Sequence, residues 1–111
     1  MADKIKLVQG DTGPQLQLTL TDEVTGLPID LTGATVTMKF RASGDETTLF
    51  TRTAFINPET AINGLCVVHW LTGDLNVEPG SYEGEIEVVF QDAMRQTVYD
   101  LLKFTLRQDF N

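Results

Sequence analysis

The sequence predicts an all-β domain, and more closely an immunoglobulin-like β-sandwich of about seven antiparallel strands. Apolar and polar side chains alternate with a period of two along most of the chain, as they do in strands with one buried face. Turn residues separate these segments at the spacing that the short strands of a sandwich show. No segment carries apolar residues at convincing helical spacing, so we expect almost no helix.

Length and composition favour one domain that spans residues 1–111. A chain of 111 residues, 41% of them apolar, is long enough to hold a core without disulfides or metals. The single cysteine, Cys66, excludes a disulfide within the chain. It lies in the apolar run of residues 65–68, so we expect a buried thiol that packs as a small hydrophobic side chain.

The alternation predicts five strands in the first two thirds of the chain. They fall near residues 4–8, 15–21, 34–41, 48–53 and 65–71. The segment 48–53 has no clean apolar side, which is typical of an edge strand. The segment 65–71 is apolar on both parities, so we expect a strand covered on both faces, with Trp70 in the core.

The last third of the chain predicts two further strands, at residues 82–90 and 96–110. Gln91–Met94 has the length of a hairpin connection between them. Apolar and small side chains share one parity of the first of these strands, and Glu83, Glu85 and Glu87 share the other. Because alternate residues of a strand point the same way, the three glutamates lie about 7 Å apart on one face.

These three glutamates form a candidate docking stripe. One interpretation is a solvated outer face of the sheet, and the functional interpretation is a docking face for a basic partner. A flat strand face does not converge oxygens as a calcium site requires, so we expect no metal there.

Residues 78–82 resemble a tyrosine corner. In that motif, a tyrosine near the start of a late strand turns its hydroxyl back to a backbone group a few residues upstream. Pro79 and Gly80 supply a sharp turn immediately before Tyr82. The corner is a structural feature that supports the fold.

Charge and targeting signals limit the partners. Sixteen acidic and eight basic residues give a net charge of −8, which disfavours direct binding to nucleic acid. No signal peptide and no apolar run of transmembrane length is present, so we expect synthesis in a cytoplasm and no membrane partner.

The sequence predicts no enzyme, no cofactor and no metal centre. His69 is the only histidine, and we expect it to be structural, since no activated serine or cysteine is recognisable beside it. Zinc would need several His or Cys ligands. Asp22, Glu23 and Asp30 leave weak calcium binding in the loop at residues 22–30 as an open alternative, without a recognisable motif.

Several segments resemble the N-terminal immunoglobulin-like domain of tailed-phage upper-baseplate proteins. The segments that carry the resemblance are Leu7–Asp11, Leu16–Leu20, Gly26–Val36, Asn63–Val68, Pro79–Ile86 and Leu102–Leu106. The resemblance implies a non-catalytic module that packs against other virion proteins. Family members usually continue into receptor-binding domains, whereas this chain stops at Asn111, which favours a stand-alone accessory protein.

The resulting hypothesis is a structural virion protein of a tailed phage, made in the cytoplasm of the bacterial host. It would serve as a tail or baseplate component or as a capsid decoration, in many copies within a symmetric assembly. The alternative is a carbohydrate-binding β-sandwich that attaches the virion to glycans of the host surface.

Overall fold

The computed structural model describes residues 5–13, 15–22, 24–98 and 101–109, and their fold is all-β. The strands are β1 (Ile5–Val8), β2 (Gln15–Thr19), β3 (Thr35–Ala42), β4 (Phe50–Thr53), β5 (Leu65–His69), β6 (Gly80–Val89), β7 (Arg95–Thr97) and β8 (Leu102–Arg107). One 3₁₀ turn, Ala61–Asn63, precedes β5. No helix in these ranges has the length and apolar character to cross a bilayer.

The strands form two sheets, an arrangement compatible with a β-sandwich. The larger sheet has the order β1-β8-β6-β3-β4, with β7 also paired to β6, and the smaller sheet consists of β2 and β5. The pair β1–β8 is parallel, while the other strand pairs are antiparallel. The prediction of an all-β fold is confirmed.

Strand β6 organises the larger sheet. It pairs with β3 over eight residues, from Thr35 opposite Val89 to Ala42 opposite Tyr82. Its other edge pairs with β7 near its end and with β8 near its start. Residues of β6 therefore have cross-strand neighbours on both sides, which determines the environment of its three glutamates.

A cluster of aromatic rings joins the two sheets in the core. Phe40 of β3 is fully buried and stacks on Phe50 and Tyr82, with ring centroids 4.9 and 5.1 Å apart. Trp70, which follows β5, meets the Phe40 ring edge-on at 5.5 Å, and Phe104 of β8 lies 5.3 Å away. Phe40 thus contacts four other rings and is the centre of the core. Each such pair adds about 0.5–1.5 kcal/mol beyond the burial of area.

Two features of the strands differ from the sequence-based expectation. The last expected strand corresponds to β7 and β8, and residues 99–100 between them lie outside the described residues, as does Phe110 at its expected end. The described ranges thus contain eight strands where about seven were expected. The expectation that residues 65–71 form a strand covered on both faces is wrong. Only the alternate residues Cys66 and Val68 are buried in β5, because this strand belongs to the two-stranded sheet and turns one face to the core.

Three connections meet at one end of the fold, which we call the loop end and define as residues 20–34, 54–64 and 90–94. The amide of Leu31 donates to the carbonyl of Ala61 at 2.9 Å, which joins the first two connections. Gly33 lies against the side chain of Gln91, so a Cβ at position 33 would stand 2.8 Å from the Gln91 amide oxygen. That contact joins the first connection to the third.

Gly64 closes the 3₁₀ turn and leads into β5. Its φ of 74° is in the left-handed region, and its amide donates to the carbonyl of Ala61. A Cβ here would lie 2.3 Å from the carbonyl oxygen of Leu20. Both the backbone angle and the close approach require glycine at this position.

Candidate functional site

The outer face of the larger sheet carries the three glutamates that the sequence singled out. Glu83, Glu85 and Glu87 alternate along β6 with residues that face the core, among them Ile86 and Val88. The structure therefore places all three on one side of the sheet. Their surroundings differ from those of a solvated acidic stripe.

Glu83 is buried, with 5% of its surface exposed. Its carboxylate accepts a hydrogen bond from Nε of Arg41 at 2.8 Å and another from Nζ of Lys103 at 3.1 Å. Arg41 lies directly opposite Glu83 on β3, and Lys103 lies directly opposite it on β8. One carboxylate thus joins three strands, so the interpretation of Glu83 as part of a solvated stripe is wrong.

The pKa of Glu83 reflects two opposing effects. Burial alone would raise this pKa, because it disfavours the charged form. The hydrogen bonds and positive charges of Lys103 and Arg41 together outweigh burial, so the pKa lies below its ordinary value. Glu83 is accordingly an ionised structural residue near neutral pH.

Glu85 and Glu87 also have polar or basic neighbours across the sheet. Glu85 is half-buried and lies directly opposite Lys39 of β3. Glu87 lies opposite Thr37 on one side and Thr97 on the other, and its carboxylate is 3.9 Å from Nη1 of Arg95. Basic side chains therefore interleave with the whole stripe.

Taken together, the outer face of the larger sheet is basic, and we call it the cationic face. Strand parity places six of the eight basic residues of the chain on it, namely Lys6, Lys39, Arg41, Arg95, Lys103 and Arg107. Against the three glutamates, these give the face a net charge of +3. Since the whole chain carries −8, the rest of the molecule carries −11. The sheet face that the sequence predicts to be acidic thus carries a net positive charge.

A groove continues the cationic face at the sheet edge. It has a volume of about 370 Å³ and is lined by Lys6, Leu7, Val8, Thr105 and Arg107 of β1 and β8. Apolar side chains form part of its wall, and two basic residues flank them. Such a surface suits a contact that combines apolar and acidic side chains.

Pro79, Gly80 and Tyr82 form the turn that the sequence suggested. The Tyr82 hydroxyl donates to the backbone carbonyl of Glu78, which is the contact that defines a tyrosine corner. Gly80 has a φ of 151°, a region that favours glycine. Burial, and then the charge of Glu78, raise the pKa of Tyr82, so its hydroxyl stays protonated as a donor.

An ion pair between half-buried Arg52 and buried Asp74, which the sequence does not predict, joins β4 to the connection before β6. Nε of Arg52 lies 2.8 Å from Oδ2 of Asp74, and a second guanidinium nitrogen contacts Oδ1. Asp74 also accepts a hydrogen bond from the amide of Leu71 at 2.8 Å. Arg52 lies opposite Met38, on the parity that faces the core. Every polar atom of this pair is engaged in structure.

The acidic residues of the loop at residues 22–30 serve turns. Oδ1 of Asp22 accepts from the amides of Val24 and Thr25, and Oδ1 of Asp30 accepts from both the amide and the hydroxyl of Thr32. Glu23 lies outside the described residues. Within the described ranges, no group of three or more His, Cys, Asp or Glu is placed to hold a metal ion.

The loop end exposes large apolar side chains. Among the residues that the structure describes, five of the eight exposed large hydrophobic ones lie in its three connections, namely Val24, Leu27, Phe55, Ile62 and Met94. Val24 is 94% exposed and lines a groove of about 210 Å³ together with residues of β7.

The two candidate reactive side chains lie in the smaller sheet. Cys66 is buried as expected, and burial raises the pKa of its thiol to about 11. His69 is exposed at the end of β5. The two residues lie on opposite faces of the strand, because three positions separate them.

No family model matches the sequence, and no curated protein matches it.

Proposed function

We propose that the chain is an immunoglobulin-like structural module of a tailed-phage virion that acts through protein–protein contacts. The strand order is the observation that supports the immunoglobulin-like fold. In this proposal, β2 and β5 correspond to B and E, while β8, β6, β3 and β4 correspond to G, F, C and C′ of a variable-type sandwich. The tyrosine corner at the start of β6, the F position, supports the same assignment.

The chain departs from antibody domains in ways that leave this strand order intact. Its first strand pairs in parallel with the last one and so joins the larger sheet. Its cysteine lies at the E position, and Trp70 follows the same strand, whereas antibody domains pair cysteines on B and F beside a tryptophan on C. Phe40 on β3 fills the core position at C.

The surfaces support a role in assembly. The cationic face and the exposed apolar side chains of the loop end both suit contacts with other proteins. The phage assignment depends on the resemblance of residues 7–11, 16–20, 26–36, 63–68, 79–86 and 102–106 to upper-baseplate domains. Within the virion, the module is a tail or baseplate component or a capsid decoration, present in many copies.

Quantitative mass spectrometry of purified virions tests this proposal. A copy number close to that of the major capsid protein would assign the chain to capsid decoration. A few copies to a few dozen would assign it to the tail, baseplate or neck. Absence from the virion would contradict the proposal, and specific, saturable binding on a glycan array would favour the carbohydrate-binding alternative.

A further inference from the structure

Charge is distributed unevenly over the molecule. The loop end is acidic, whereas the cationic face is basic. The described residues of the three connections of the loop end include four acidic ones and no basic one; the acidic residues are Asp22, Asp30, Glu59 and Asp92. The cationic face carries a net charge of +3. Two surfaces of opposite sign therefore coexist on one chain.

The two surfaces also match in their apolar parts. The loop end exposes Val24, Leu27, Ile62 and Met94 among its carboxylates. The cationic face is continuous with the groove at β1 and β8, whose wall includes Leu7 and Val8. Each surface thus combines apolar with charged side chains, as protein interfaces do.

We propose that the loop end of one copy of this chain docks on the cationic face of a second copy. Contact between two cationic faces would bring +3 against +3, and contact between two loop ends would bring four acidic residues against four. Of the three pairings of these two surfaces, the head-to-tail one brings opposite charges together. Because such a contact is heterologous, it generates a ring or an open filament and not a closed dimer.

This inference goes beyond the proposed function, since it concerns the purified chain alone. Self-association in solution and presence in the virion are measured separately. This inference can therefore fail while the proposed function holds, and the reverse. If both hold, the head-to-tail contact supplies the repeated interface of a multi-copy assembly.

The salt dependence of self-association distinguishes this charged contact from a purely apolar one. The attraction acts between neighbouring charges, which are screened progressively as the Debye length falls from about 10 Å at 0.1 M to about 3 Å at 1 M salt. Self-association should therefore weaken between these two conditions. The net charge of −8 makes distant copies repel each other, so a purely apolar contact would instead strengthen with salt.

Two charge variants test the geometry. The face variant is Lys6→Glu with Lys39→Glu; both side chains are exposed, and neither is an ion-pair partner of the buried Glu83. The loop variant is Val24→Lys with Glu59→Lys, two exposed positions of the loop end. The control is Glu46→Lys, an exposed position in the connection between β3 and β4, at the opposite end of β3.

Sedimentation analysis at about 0.1 M salt provides the readout. We expect the wild-type chain and the control to form species heavier than the 12.3 kDa monomer. Each variant alone should associate more weakly than the wild type by roughly tenfold or more. A mixture of the two variants should form a 1:1 dimer of twice the monomer mass, because it contains one intact face and one intact loop end. A monomeric wild type, a face variant that associates like wild type, or a mixture that stays monomeric would overturn the proposal.

Discussion

Glu83 is held between two cations that come from different strands, Arg41 on β3 and Lys103 on β8. The sequence places its side chain on the correct face, because parity within β6 decides that. Its partners lie 42 and 20 positions away, and the cross-strand register that aligns them is not encoded in any local pattern. Glu83, which the sequence suggests as part of a docking stripe, is therefore a structural residue.

Replacing Glu83 by Gln should destabilise the fold at pH 7 by about 2 kcal/mol, because two charge-assisted hydrogen bonds lose their acceptor charge. The pKa of Glu83 is lowered in the folded state from an ordinary value of 4.5. Its ionised form thus stabilises the fold fully above about pH 4.5, and this contribution is lost as pH falls through the folded pKa.

Urea unfolding of the wild type and of Glu83→Gln at pH 7, 4.5 and 3 checks this prediction. The difference in free energy of unfolding should shrink as pH falls. Glu85→Gln is the control, because Glu85 is more exposed and its loss should cost under about 0.5 kcal/mol. A difference that stays constant with pH would assign the effect of Glu83→Gln to packing.

Cys66 should be inert in the folded chain. Its thiol is buried and has a pKa of about 11, so at pH 8 roughly one molecule in a thousand carries the reactive thiolate. We expect a thiol-specific disulfide reagent to modify Cys66 at the rate of unfolding in buffer, and within the mixing time in 6 M guanidinium. Rapid modification without denaturant would mean that β5 opens locally.

At the scale of elements, the alternation predicts where strands lie but not where one strand divides. The segment at 96–110 alternates throughout, yet the structure contains β7 and β8 there. Both pair with β6, at its end and at its start respectively, and residues 99–100 between them lie outside the described residues. Likewise, the apolar run at residues 65–71 does not determine whether one face of the strand or both faces are covered by other elements.

The turn before β6 depends on one side-chain hydrogen bond. Replacing Tyr82 by Phe keeps the ring stacked on Phe40 but removes the hydroxyl that donates to the carbonyl of Glu78. We expect a loss of about 1 kcal/mol in the free energy of unfolding, measured by urea titration. Tyr82→Ala should cost about 3–5 kcal/mol, because it also removes a buried ring. Equal losses for the two variants would contradict a contribution of the ring to the core.

At the scale of the whole molecule, charge is the property that sequence reasoning interpreted least well. A net charge of −8 suggests an acidic surface, and three alternating glutamates reinforce that expectation. The fold instead gathers six of eight basic residues on the face that carries those glutamates, because β1, β3, β7 and β8 all lie in the sheet of β6. Composition gives the total charge, and sheet order decides its distribution.

One shared core predicts cooperative unfolding of residues 1–111 as a unit. Phe40 contacts rings from β4, β6, β8 and the residue after β5, so its removal should weaken both sheets together. Phe40→Ala should cost about 4 kcal/mol and lower Tm by roughly 15 °C or more. Phe55→Ala is the matched control: that ring is 58% exposed, so its loss should cost under about 1 kcal/mol. Trp70 fluorescence and far-UV circular dichroism should give one coincident transition for each protein, whereas separate transitions would divide the chain into independent units.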